Sequence, residues 1–172
     1  MKSTTKILRY PNKILTTPTV NWDFISDNKT ELLAMIAKME ELLKARPEGV
    51  ALAANQAGFS KRLFIITDKL AQEYNISNVL INPVLNLVDT KTVEEKEGCL
   101  SFPDLFFPVK RYDTISCDYY DLDGNKKIII LEGFIARVFQ HECEHLDGKL
   151  YIDNLPRRER FQMLGKFKNR NY

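Results

Sequence analysis

The chain holds two histidines in its 172 residues, and they fall four apart in the stretch Gln140-His141-Glu142-Cys143-Glu144-His145-Leu146. On a helix, positions i and i+4 lie about 40° apart on one face. Both imidazoles can therefore reach a single cation, and Glu142, beside the first of them, can handle a proton on water held there. The lead-in Gly133, Phe134, Ile135, Ala136, Val138 and Phe139 is mostly apolar, which marks a largely buried helix. Two imidazoles and two carboxylates at the end of such a helix would be costly to bury without a partner, and a metal supplies one.

Two histidines do not close a metal site. Downstream, the acids Asp147, Asp153 and Glu159 are available as a third ligand. Upstream, Glu97-Gly98-Cys99-Leu100-Ser101 places a cysteine in a glycine-preceded turn between polar flanks. Cys99 would make a Cys-His-His set with a fourth, open position for water.

These residues need elements to hold them. Residues 7 to 25 contain Pro11, Pro18 and the only tryptophan, Trp22, and read as an irregular arm. Asp27 or Asn28 caps a helix beginning near Thr30, where Leu32, Met35, Ile36, Met39, Leu42 and Leu43 form one apolar face before Pro47 stops it. Strands are expected over Arg62–Thr67 and Val79–Asn82, the second limited by Pro83. Residues 84–95 read as a strand pair broken around Asp89-Thr90-Lys91. Ile115–Tyr120 and Lys127–Leu131 flank an Asp-Gly hairpin signal. Asp104 to Phe107 reads as a loop with an apolar rim from Phe106 and Phe107. Asp147-Gly148 ends the metal-motif helix. The tail from Arg157 carries Arg157, Arg158, Arg160, Lys166, Lys168 and Arg170, with Phe161, Leu164 and Phe167 spaced for a helix face. The expected fold is α+β: mostly antiparallel sheets packed around a central metal-binding helix, with an N-terminal helix and a short C-terminal one. Residues 1–172 are expected to form one catalytic domain, with a basic tail from about 155.

A hydrophobic fraction of 44% and a charged fraction of 28% are those of an ordinary globular protein, and a net charge of +2 names no partner class. No stretch approaches the roughly 20 apolar residues of a membrane span, and the start has no signal-type apolar run. The three cysteines, Cys99, Cys117 and Cys143, are an odd number and imply no disulfide framework. The expected setting is cytoplasmic, or the interior of an organelle or of a virus's host cell. Monomer is the default expectation.

Glu48-Gly49-Val50-Ala51-Leu52-Ala53-Ala54-Asn55-Gln56, Glu97-Gly98-Cys99-Leu100-Ser101 and Gln140-His141-Glu142-Cys143-Glu144-His145-Leu146 together closely resemble the three motifs of peptide deformylases, in the same order and with similar spacing. The resemblance implies metal-dependent hydrolysis of the formyl group from the N-terminal formylmethionine of new polypeptides, with release of formate. It implies Cys99, His141 and His145 as ligands of one divalent metal ion, ferrous iron in vivo, with zinc, nickel or cobalt as alternatives. It makes Glu142 the general base, and Gln56 and the backbone N–H of Leu100 the oxyanion donors. Phe134 and Val138, on the helix face that leads to His141, would line a methionine pocket with Val50, in a groove edged by Gly49, Ala51 and Gly98. Glu97 and Arg111 resemble a buried pair that braces the cysteine loop, and the basic tail resembles a ribosome-docking helix. The chain departs from the family pattern in two places. Ala51 stands where a second glycine is usual, and 104–107 lacks an arginine that many bacterial members carry there. Two other readings are a zinc endopeptidase of another H-E-x-x-H family, which needs a downstream acidic ligand, and a non-catalytic deformylase-like binding module.

Overall fold

The structure is a computed structural model that describes residues 6–168. Asn28 caps the helix α1, Lys29–Lys44, by accepting from the Thr30 N–H, and all six expected apolar residues on α1 are buried. The chain then enters β1 (Ala51–Ala53) and, after a 3-10 turn, β2 (Leu63–Ile66). A short helix α2, Asp68–Tyr74, follows, capped by Thr67 and ended by Asn75 in the left-handed region. Next come β3 (Val79–Leu87), β4 (Thr92–Cys99), β5 (Phe102–Tyr112), β6 (Thr114–Tyr120) and β7 (Lys126–Glu132). The motif helix α3, Phe134–Leu146, and α4, Arg157–Lys168, complete the order.

All strand pairings are antiparallel. One sheet has the order β1-β2-β3-β6-β7, and β4 pairs only with β5. The α3 helix lays its apolar side on the five-stranded sheet, where Phe139 meets Phe64 edge-on at 5.0 Å. The opposite side of that sheet packs on α1 through Leu52, Leu63, Ile65, Val79 and Ile81. A third cluster, containing Phe102, Phe107 and Tyr151, joins the β4–β5 hairpin to the chain after α3. This is the expected α+β architecture.

Three local expectations are corrected. The second strand does not stop at Pro83: β3 runs to Leu87 by means of a bulge between Ile81 and Val84, with Asn82 at φ 51°. The Asn82 side chain holds the arm there, accepting from Trp22 N at 2.7 Å and donating to Trp22 O at 2.8 Å. Residues 84–95 do hold two strand segments, but they do not pair with each other; β3 pairs with β6 and β4 with β5. The expected loop 104–107 lies inside β5, so only Phe106 faces outward (65% exposed) while Phe107 is core (5%).

Candidate metal centre and substrate cleft

Cys99 ends β4 at a register irregularity between Glu97 and Cys99, and the turn Leu100–Ser101 returns the chain into β5. This places the cysteine against the buried face of α3, whose Gly133 start needs φ 65°. One ligand atom from each of Cys99, His141 and His145 lies within 4.8 Å of the others. Cys99 Sγ is 3.1 Å from His145 Nε2. His141 Nδ1 is 3.0 Å from Glu97 Oε2, which leaves its Nε2 for the cluster. One half-buried cysteine sulfur and two buried ring nitrogens, convergent, fit a borderline-soft divalent cation. The alternative ligands go elsewhere: Asp147 pairs with Arg62 at 2.7 Å, Asp153 with Arg160 at 2.8 Å, and Glu159 is exposed on α4. Among the described residues, no acid joins the cluster, so the endopeptidase reading loses the ligand it needs.

Glu97 is the hub behind the ligands. It accepts from Arg111 Nε and Nη2, both at 2.9 Å, and from Arg137 Nη1 at 2.7 Å. Burial alone would raise its carboxyl, but Arg111 and His141 outweigh burial and hold it near 2. The expected Glu97–Arg111 pair is therefore present within a larger network that the sequence reading missed. Arg137 also donates to the carbonyls of Val109 and Val93, and Glu144 pairs with Arg111. The signal was available: Arg137, His141 and Glu144 sit at i, i+4 and i+7 on one helix face.

Glu142 has the opposite surroundings. It is buried, its Oε2 has no hydrogen-bond partner, and burial pushes its carboxyl up to about 7. His141 is held above the usual imidazole range because Cys99 and Glu97 outweigh its burial, whereas burial, His141 and Arg111 push His145 down.

Gln56 lies in the 3-10 turn Ala54–Ala57, which Gly58 closes at φ 87°. Its Oε1 accepts from Ala53 N at 2.9 Å, so its Nε2 turns toward Ser101 Oγ at 3.1 Å and Cys99 Sγ at 3.6 Å. A cleft of about 490 Å³ opens over this group, and every residue expected in the site except His145 lines it. His145 lies beneath, 1% exposed, with Asn55 Nδ2 donating to its carbonyl. Phe134 stands half-exposed at the mouth and Val138 is buried further in, so this face of α3 descends from apolar residues to His141. Ala51 is buried with its methyl in the core cluster beneath α3. Cys117 and Cys143 are buried, unpaired core residues.

A Cys-His-His cluster with both histidines buried, beside a buried glutamate and an amide N–H at the floor of an apolar cleft, has the donor set of a mononuclear metallohydrolase on an α+β scaffold. The family model for polypeptide deformylase matches residues 4–161. Peptide deformylase from Helicobacter hepaticus is 37% identical over 166 residues, covering 93% of this chain and 89% of that one. The Aquifex aeolicus enzyme is also 37% identical, covering 94% and 93%. Among solved structures, the peptide deformylase of Ehrlichia chaffeensis in complex with actinonin superposes with a TM-score of 0.84 at 29% identity, covering 99% of each chain. The Plasmodium falciparum enzyme, in complex with an inhibitor, does so with a TM-score of 0.81 at 30% identity, covering 95% and 97%. The chain belongs to the polypeptide deformylase family.

Proposed function

We propose that the cleft cleaves the N-terminal formamide of formylmethionyl peptides with Glu142 as the proton-transfer group and with Gln56 and the Leu100 amide as oxyanion donors. The reaction is the family's own: the enzyme is a hydrolase that removes the N-formyl group from newly made polypeptides and releases formate. The observation that carries the residue roles is that Glu142 and Gln56, from two distant motifs, line one cleft with Cys99 and His141, Gln56 Nε2 lying 3.6 Å from Cys99 Sγ.

Cys99 Sγ and ring nitrogens of His141 and His145 hold the divalent ion; ferrous iron is the proposed occupant in vivo, and zinc, nickel or cobalt suit the same donors. When bound, the ion supplies a lowered pKa for water and polarisation of the formyl carbonyl. Glu142, whose carboxyl lies at the cleft lining, takes the proton of the attacking water and returns it to the departing amine. A carboxyl poised near neutrality can do both, since the best proton shuttle has a pKa close to the working pH. Gln56 is held by Ala53 N with its amide N–H groups aimed at the cluster, so it donates to the formyl oxygen as charge develops there, without reorganising. Leu100 N–H is assigned the second donation. The Val138 side chain, with Phe134 and Val50, takes the methionine side chain, while Gly49, Ala51 and Gly98 edge the groove for the peptide backbone.

Residues 1–172 are proposed as one catalytic domain working in the cytoplasm; no helix among the described residues is long and apolar enough to cross a membrane. Exposed Arg157 and Arg158 on α4 support docking on ribosomal phosphates. The side chains of Lys166 and Lys168, and Arg170, lie outside the described residues.

The test is formate release from formyl-Met-Ala-Ser by anaerobically prepared, iron-loaded protein beside its Cys99→Ser and Glu142→Gln variants. Activity lost from both, with metal lost only from Cys99→Ser, supports the roles. No formate from a folded, metal-bearing wild type refutes the reading.

A further inference from the structure

The strand β7 ends the five-stranded sheet, and among the described residues no strand pairs with its other side. Along it, Lys126, Ile128, Ile130 and Glu132 share one face and stand opposite Tyr120, Asp118, Ser116 and Thr114 of β6. That face is solvent-exposed: Ile128 is 65% exposed and Ile130 72%. On the other face Leu131 is buried and Ile129 half-buried against the core. An edge strand with an open row of backbone groups and exposed β-branched side chains is a template for adding a strand.

The sequence of this edge also says which strand fits. An antiparallel partner related by a twofold axis through Ile129 sets Lys126 opposite Glu132 and Ile128 opposite Ile130, each twice, on the exposed face, and on the other face Ile129 opposite itself and Lys127 opposite Leu131. Both charge pairs are opposite in sign and both exposed isoleucines gain an apolar cross-strand neighbour, the arrangement that stabilises antiparallel pairs. Moving the axis one residue either way breaks this match. Through Ile128, Lys126 faces Ile130; through Ile130, Ile128 faces Glu132. The Lys126 side chain now reaches Asp118 of its own chain at 2.7 Å, in a half-exposed pair that gives way readily.

We propose that two copies of the chain associate through β7, edge to edge about Ile129, to form one continuous ten-stranded sheet. This departs from the default expectation of a monomer. Seven residues of edge make less than a standard interface, so the dissociation constant falls on the order of 10–100 µM.

Sedimentation equilibrium of the full, metal-loaded chain from about 1 to 500 µM, a range set by that affinity, should show reversible dimerisation. The double variant Ile128→Lys/Ile130→Lys alters only exposed side chains and should weaken association by at least about tenfold. Lys126→Glu should weaken it through like charge opposite Glu132, and the swap Lys126→Glu/Glu132→Lys should restore it. Circular dichroism confirms that each variant is folded. A chain that stays monomeric across the range overturns the proposal, as does a dimer indifferent to the isoleucine substitutions. A swap that fails to restore association overturns the register.

Discussion

Replacing Glu97 with glutamine keeps the side chain's shape and removes its charge from beneath two guanidinium groups. In the native protein that carboxylate receives two hydrogen bonds from Arg111, one from Arg137 and one from His141 Nδ1. A carboxyl moved from its ordinary 4.5 to about 2 on folding is worth about 3 kcal/mol at neutral pH. Removing one partner of a buried ion pair costs about 3–5 kcal/mol in general. The lower end applies here, because Arg111 keeps Glu144, and Arg137 keeps Glu95 and two backbone carbonyls. The sign follows from the direction of the shift. A depressed carboxyl stabilises the fold above its unfolded value of 4.5, and that contribution disappears as pH falls toward 2.

Denaturant unfolding of metal-stripped wild type and Glu97→Gln at pH 7, 4 and 3 tests this, since stripping removes the stabilisation that bound metal adds by mass action. The expected gap is about 3 kcal/mol at pH 7, narrowing steadily below pH 4.5. A gap under about 1 kcal/mol at pH 7, or one that is the same at pH 3 as at pH 7, refutes the reasoning. Metal retention should also weaken, by about 10–100-fold, because His141 loses the charged acceptor that orients its ring.

Gln56→Ala should lower kcat by about 10²–10³ with metal content unchanged, as steady-state formate release and metal analysis would show. Gly98→Ala puts a methyl 2.3 Å from the Phe106 ring, so the ring must swing over the cleft rim. KM for formyl peptides should rise more than kcat falls, and the thermal midpoint should move little because Phe106 is exposed. Gly148→Ala is the contrasting case. At φ 71° its methyl would meet the Thr17 and Pro18 backbone at 2.8 Å, so thermal unfolding should show a loss of at least about 1–2 kcal/mol.

The site was more legible than the strands that hold it. His141, Glu142 and His145 declare themselves by spacing on one helix, and Cys99 by an odd setting for a core residue, so chemistry could be read locally. The β5 strand could not be read so easily. Leu105, Phe107, Val109 and Arg111 alternate inward, but Pro103, Pro108 and a buried arginine disguise the period of two. That arginine is inward only because Glu97 is there to meet it. The α2 helix has seven residues, too few for a 3.6-residue pattern, and is marked only by its caps Thr67 and Asn75. Pro83 misled because a bulge, with Asn82 in the left-handed region, carries β3 past it. The misses in β3 and β5 depend on partners distant in sequence, Trp22 for Asn82 and Glu97 for Arg111, which no local window contains.

Two of the buried carboxyls in the site are driven in opposite directions, and this separates loss of activity from loss of fold on the pH axis. Glu142 stands near 7 because burial acts on it without a guanidinium, whereas Glu97 stands near 2 because Arg111 and His141 outweigh its burial. The proton-transfer role proposed for Glu142 is consistent with its being the one of the two that titrates near neutrality. A bound cation beside Glu142 lowers its value from about 7 toward the ordinary 4.5. The acid limb of kcat/KM should therefore fall within that interval, since Glu142 must be ionised to accept a proton. Protonating a carboxyl whose folded value is raised favours the folded state, so Glu142 does not weaken the fold over the same interval. The Glu97 contribution to stability should decline below 4.5, where that carboxyl takes up a proton in the unfolded chain but not in the folded one, which holds it near 2. Formate release and unfolding free energy measured in the same buffers from pH 8 to 3 would show the two curves apart, activity falling first. If they fall together, the acid limb reports unfolding and Glu142 is not the group that moves the proton.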